Sequence, residues 1–146
     1  RGYVGAVQRR SLQLPGGLSA IPLICYEAIF ASEVAQLANT DGLMINITND
    51  AWYGNSPGPY QHFHQSRLRS VELGIPMARA ANNGISAIID AKGRIVEKLD
   101  FGTAGAVDAM LPGKIDLPYG KLYSSHIFWL IVLFFAILGM MFRPRR

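Results

Sequence analysis

Ile21-Pro22-Leu23-Ile24-Cys25 and Gly42-Leu43-Met44-Ile45-Asn46-Ile47-Thr48-Asn49 are two short apolar runs, and what lies between them decides the fold. Each has the length and apolar character of a buried strand. Ser32–Asn39 reads as a short helix with Ser32 as its N-cap, because a serine hydroxyl satisfies an amide that a helix leaves unpaired at its start. Strand, helix and strand within about 30 residues make a βαβ unit, which predicts an α/β domain.

Downstream, Asp50–Tyr60 contains Gly54, Pro57, Gly58 and Pro59, a composition that predicts a long loop. Gln61–Leu73 follows as a helix stopped by Gly74 and Pro76. Met77–Ala81, Ile85–Asp90 and Arg94–Leu99 read as strands joined by Asn82-Asn83-Gly84 and Ala91-Lys92-Gly93, tripeptides suited to positive φ and hence to consecutive hairpins. Gly105–Met110 is expected to add a strand. Upstream, Arg1–Gly17 is rich in Gly and Arg, with a turn at Leu14-Pro15-Gly16-Gly17, and begins without a methionine. The chain is therefore expected to be the carboxyl-terminal part of a longer polypeptide.

Half of the residues are apolar and only 16% are charged. The excess is concentrated near the end: Ile127–Phe142 is wholly apolar or Gly, and no formal charge falls between Lys121 and Arg143. Leu122–Phe142, at ~1.5 Å per helical residue, reaches roughly 30 Å, the hydrocarbon thickness of a bilayer. Tyr123 and Trp129 stand where an aromatic belt forms, and Arg143, Arg145 and Arg146 close the other end. By the positive-inside rule the tail is cytoplasmic. The sequence thus divides into an α/β domain over 1–110, a Pro/Gly-containing linker over 111–121, a transmembrane helix over 122–142 and a basic cytoplasmic tail over 143–146. The net charge of +4 includes that tail, and no Lys/Arg stripe is interleaved with aromatics, which argues against a nucleic-acid partner.

Cys25 is the only cysteine. It ends the first strand where the chain must turn toward the helix, and in α/β sheets ligand and catalytic sites collect at the carboxyl ends of strands. A thiol there suits acyl transfer, since a thioester is readily formed and readily attacked again. Its other reading is a buried structural cysteine. His62 and His64 lack a neighbouring Cys or third His, so no metal site is expected and they cap or pack.

The segments Pro22-Leu23-Ile24-Cys25-Tyr26-Glu27 and Asn49-Asp50-Ala51-Trp52-Tyr53-Gly54 resemble the nitrilase-like carbon-nitrogen hydrolase superfamily. Three further segments, Gly58-Pro59-Tyr60-Gln61-His62-Phe63, Arg67-Leu68-Arg69-Ser70-Val71-Glu72 and Asn82-Asn83-Gly84-Ile85-Ser86-Ala87, narrow the resemblance to the apolipoprotein N-acyltransferase family, as does the apolar terminal segment. The resemblance implies part of a nitrilase-like αββα sandwich on the periplasmic face of a bacterial inner membrane, followed by one transmembrane helix. It implies transfer of an acyl chain from a glycerophospholipid to the enzyme's cysteine and then to the diacylglyceryl-cysteine of a lipoprotein, with no cofactor.

Carried over by position, Cys25 is the nucleophile, Glu27 the acidic residue two places on and Trp52 the aromatic of the loop bordering the acyl site, with Tyr53 beside it. The backbone N–H of Tyr26 is a candidate oxyanion donor. Glu27 either pairs with a lysine of the site or is a first-turn acid. Trp52 and Tyr53 either line a mobile loop or anchor it as core aromatics. The resemblance also implies a general-base Glu and an oxyanion-stabilising Lys upstream of the nucleophile. No acidic residue or lysine precedes Cys25 here, and Arg1, Arg9 and Arg10 hold their protons too tightly to exchange them. Lys92, Lys98, Lys114 and Lys121 read as solvent-facing charges. Two other expectations stand beside transfer to a lipoprotein: a membrane-anchored nitrilase-type amidase, and a membrane-tethered binding domain without catalysis.

Overall fold

The computed structural model describes residues 10–37, 41–116 and 119–141. Its elements run β1 (Leu12–Gln13), β2 (Ser19–Ile24), α1 (Ala31–Leu37), β3 (Leu43–Asn49), α2 (Gly58–Leu73), β4 (Met77–Asn82), β5 (Ser86–Ile89), β6 (Ile95–Leu99) and α3 (Tyr119–Met141). The strands form one sheet in chain order. β2, β3 and β4 are parallel neighbours, while β1 pairs antiparallel with β2, and β5 and β6 continue from β4 as antiparallel hairpins. The βαβ unit and both hairpins are as the sequence predicts.

Alternation along the strands sends one set of side chains under the helices. Ile21, Leu23, Met44, Met77, Ala87 and Ile89 join Val34 of α1 and Phe63 and Leu73 of α2 in one buried cluster. The other face is apolar too, yet the paired residues Ile24 and Ile47 on it are 57% and 56% exposed. In register, Ile24 lies opposite Ile47 and Asn49 opposite Asn82, so the three parallel strands finish along one edge.

Several boundaries differ from the sequence reading. Cys25 does not end β2 but opens a 3-10 turn, Cys25–Ile29. Ser32 is not the N-cap of α1: the amides of Glu33 and Val34 donate to the Phe30 carbonyl, so the helix is already under way at Ala31. The expected loop over Asp50–Tyr60 is shorter, because Asp50–Tyr53 is a 3-10 turn and α2 starts at Gly58. Pro59 is tolerated there since a first-turn residue needs no amide donor. Gly74, at φ 67°, closes α2.

Gly105–Met110 is not a strand. Beyond Leu99 the chain turns, and Gly105, Ala106 and Val107 line a cavity together with Ile45, Ala78 and Ala80 of the sheet, without joining its ladder. The linker is pinned, with the Ile115 amide donating to the Gly74 carbonyl at 2.9 Å. The α3 side chains described, over 126–140, are almost all exposed. Among the described residues no helix is long and apolar enough to cross a membrane. The tail 143–146 and Phe142, with the far end of the expected helix Ser32–Asn39, lie outside the described residues, as do the side chains of Lys121 and Tyr123.

Leu23 is a fully buried member of the cluster. Leu23→Ala should lower the unfolding free energy by about 2–5 kcal/mol, the range for a methylene deletion that leaves a cavity, in urea titrations followed by circular dichroism. A loss under about 1 kcal/mol would mean that this face is not the core.

Candidate active site

Cys25 has φ 52°, in the left-handed region that a residue with a Cβ avoids. Such a conformation costs about 1–2 kcal/mol and persists only where the surroundings over-determine it. Three side chains do so. Glu27 Oε2 accepts the Ile24 amide at 2.8 Å, bracing the turn across its start. Asn46 Nδ2 donates to the carbonyls of Leu23 at 2.9 Å and Cys25 at 3.3 Å. At the far end Arg69 donates to the Ile29 carbonyl at 3.2 Å and pairs with Glu72 at 2.7 Å, tying α2 to the turn.

Behind the turn lies a buried polar network centred on Asp50, which is 0% exposed. Arg79 Nη2 donates to Asp50 Oδ2 at 2.7 Å, and Oδ1 lies 2.8 Å from His62 Nδ1 and 3.0 Å from Thr48 Oγ1. Burial pushes the Asp50 carboxyl up, but the His62 hydrogen bond, the Arg79 charge and Thr48 together outweigh it and hold the group below its ordinary range. Burial likewise lowers Arg79, against the opposing pull of Asp50. Arg79 also donates to Asn46 Oδ1, to Ser66 Oγ at 2.9 Å and to the Ile85 carbonyl at 3.2 Å. The network therefore joins β3, α2, β4 and the β4–β5 turn. A Cβ at Gly84 in that turn would collide with the Asp50 carboxylate.

Tyr26 and Tyr53 both face His62, with ring centroids at 5.6 and 5.9 Å. Burial, with Tyr26, Asp50 and Cys25 nearby, raises the Tyr53 hydroxyl above its ordinary value. Gly58 leaves room for that ring, since a Cβ there would stand 2.6 Å from it. Trp52, one residue earlier, is 86% exposed. The two aromatics thus divide: Tyr53 packs and Trp52 projects.

The structure brings Cys25, Tyr26, Glu27 and Tyr53 together at the edge where β2 and β3 end. The sequence reading missed Asn46, Thr48, Asp50 and Arg79 as parts of the site and took His62 only as a capping or packing residue. A signal existed, because Asn46, Thr48 and Arg79 are polar residues inside otherwise apolar strand runs, and a buried arginine requires a partner. Lys92, Lys98 and Lys114 are exposed, Lys98 beside Asp100, and His64 is exposed as well. Among the described residues no group of three His, Cys, Asp or Glu is placed to hold a metal ion.

A mixed α/β sheet with a cysteine held in a left-handed turn at the carboxyl end of a parallel strand defines the class: α/β domains with a thiol at the sheet's ligand edge. The sequence model of the carbon-nitrogen hydrolase family matches residues 4–122, and the chain belongs to that family. It is 49% identical, over 94% of its length, to the apolipoprotein N-acyltransferase of Sinorhizobium fredii, covering 26% of that protein. It is 52% identical, over 88% of its length, to the apolipoprotein N-acyltransferase of Rhizobium meliloti, covering 24% of that one. The chain thus spans about a quarter of the length of these curated relatives. A mutant amidase from Nesterenkonia sp. AN1, solved after Michael addition of acrylamide at its active-site cysteine, shares the fold with a TM-score of 0.54 and 22% identity, covering 87% of this chain and 51% of that one.

The Asp50 shift fixes a pH dependence. A carboxylate held below its ordinary value of 3.8 contributes stability that is present in full above that value and lost as pH falls below it through the folded value. Urea unfolding of the intact protein between pH 5 and about pH 2 should show this loss, and Asp50→Asn should reduce the slope. An unchanged slope in Asp50→Asn would contradict the pairing.

Proposed function

We propose that the chain is the carboxyl-terminal part of the catalytic domain of an apolipoprotein N-acyltransferase, with Cys25 as the nucleophile that carries the acyl group. The observation that supports this best is the Cys25 turn. A sole thiol is held at φ 52° at the ligand edge of the sheet, in a chain about half identical to proteins of that name. A structural cysteine gives no reason for such strain.

In the proposed reaction the Cys25 thiolate attacks the ester carbonyl of a glycerophospholipid, and the lysophospholipid alkoxide leaves with a proton. The amine of a diacylglyceryl-cysteine then attacks the thioester, the thiolate departs, and the amine gives up a proton. The Tyr26 amide is proposed as one oxyanion donor, and Glu27 both braces the turn and positions a lysine. The general-base Glu and that Lys are expected upstream of this chain. Trp52 projects from the adjoining turn, as an aromatic that contacts an acyl chain would.

The same reading accounts for two uncovered apolar surfaces. The sheet face of Ile24 and Ile47 suits a second sheet of an αββα sandwich, and the exposed apolar side chains of α3 suit a bilayer crossed by 122–142, with the catalytic part periplasmic and the basic tail cytoplasmic.

The test is phospholipid-dependent N-acylation of a diacylglyceryl peptide by this chain alone and by the chain extended upstream. The extended protein should transfer and should carry a hydroxylamine-labile adduct on Cys25. Cys25→Ser should abolish both, and the chain alone should stay at background, since losing one oxyanion donor already costs ~10²-fold to 10³-fold. Activity surviving Cys25→Ala would sink the mechanism, and hydrolysis of short amides without peptide acylation would favour the amidase instead.

A further inference from the structure

Thr48 stands between the thiol and the buried carboxylate. The register that sets Ile24 opposite Ile47 carries Cys25 alongside Thr48 at the sheet edge. Thr48 Oγ1 lies 3.5 Å from Cys25 Sγ and 3.0 Å from Asp50 Oδ1, both within donor reach. A threonine hydroxyl has one hydrogen, so it serves one of these acceptors at a time. Thr48 is only 5% exposed, which leaves little access for water to replace the hydroxyl.

Building on the acyltransferase reading of Cys25, we propose that Thr48 is a positioning residue whose single hydroxyl hydrogen goes to Asp50 while Cys25 is a thiol and to Cys25 Sγ once it is a thiolate. In the first state the S–H can donate to Thr48 Oγ1, and the hydroxyl completes the set of donors around Asp50. When the thiol loses its proton to solvent or to a carboxylate base, Sγ becomes the acceptor and the hydroxyl rotates toward it. Asp50 tolerates the exchange because Arg79 and His62 still hold it at 2.7 and 2.8 Å. No covalent bond changes at Thr48, and its one movement is a rotation about the Cβ–Oγ1 bond.

The charged and titratable groups around the pair come from every element packed there. They are Arg79 on β4, His62 on α2, Asp50 and Tyr53 after β3, and Tyr26 and Glu27 in the cysteine's own turn. The hydrogen bonds of Arg79 go to Asp50, Asn46, Ser66 and the Ile85 carbonyl, and none goes to Cys25. Thr48 supplies the direct donor to sulfur, and with it the direction in which the sulfur lone pair is held.

Iodoacetamide alkylation of Cys25 in the intact protein, followed by peptide mass spectrometry across pH, reads the thiolate directly: sulfur displaces iodide, and the rate tracks the ionised fraction. Thr48→Val should move the profile to higher pH and slow alkylation at pH 7 about tenfold, as expected for loss of a donor to a charged acceptor. Thr48→Ser should restore it to within about threefold. Acyl transfer by Thr48→Val should fall in kcat with KM little changed. If Thr48→Val does not fold by circular dichroism, Thr48→Ala is the hydroxyl-free variant to compare with Thr48→Ser. A hydroxyl-free profile that superimposes on the parent, or a Thr48→Ser slowed as much as Thr48→Val, would overturn the proposal. Thr48-dependent alkylation in a parent that acylates no peptide would support it while sinking the acyltransferase reading.

Discussion

A carboxylate without access to water organises the ligand edge of this sheet. Asp50 meets the guanidinium of Arg79 at 2.7 Å and the imidazole of His62 at 2.8 Å, with all three side chains buried. Removing such a pair from water costs several kcal/mol per ion before their attraction offsets it. Its net contribution to stability is therefore small, but breaking it from one side is expensive. That asymmetry makes it a device for specifying geometry: any arrangement of β3, α2 and β4 that separates Asp50 from Arg79 leaves an uncompensated charge.

The local features of the site follow from that constraint. With Arg79 fixed, Asn46 is held by its Oδ1 and turns its amide to the carbonyls of Leu23 and Cys25. With Asp50 fixed, Thr48 is held beside Sγ and the β4–β5 turn closes over the carboxylate at Gly84. The strain at Cys25 is thus maintained by contacts that reach it through β3, while Glu27 and Arg69 hold the two ends of its turn. The segments that carry the family resemblance acquire separate tasks. Asn49–Gly54 supplies the carboxylate and the projecting Trp52, Arg67 and Arg69 latch α2 to the Gly93 and Ile29 carbonyls, and Asn82–Ala87 closes the network from the hairpin side.

The fold was readable because hydrophobic burial leaves a periodic trace. Ile21–Ile24 and Leu43–Asn49 are strands, Gly74 ends α2, and Asn83 and Gly93 take the positive φ that their tripeptides suggest. Boundaries slipped where backbone hydrogen bonds decide them, as at Phe30, whose carbonyl starts α1 ahead of Ser32. The expected strand at Gly105–Met110 failed because an extended segment needs a partner edge as well as propensity, and this one pairs with none of the six strands. Cys25 could be picked out from its position and its resemblance, but its left-handed φ could not, since Asn46 and Arg69, which help Glu27 to enforce it, are distant in sequence. The Asn46, Thr48 and Arg79 positions were visible as polar residues in apolar strands, yet only the parallel register of β3 and β4 shows that they meet.

A double-mutant cycle on Asp50→Asn and Arg79→Gln, read by urea unfolding of the intact protein at pH 7, measures the organising interaction most directly. Each single variant should lose about 3–5 kcal/mol, as when a buried pair is broken from one side, and the double variant should lose less than the sum by at least ~1 kcal/mol. Additive losses would show that the two residues are not coupled, and that the turn holding Cys25 is built on something other than their pairing.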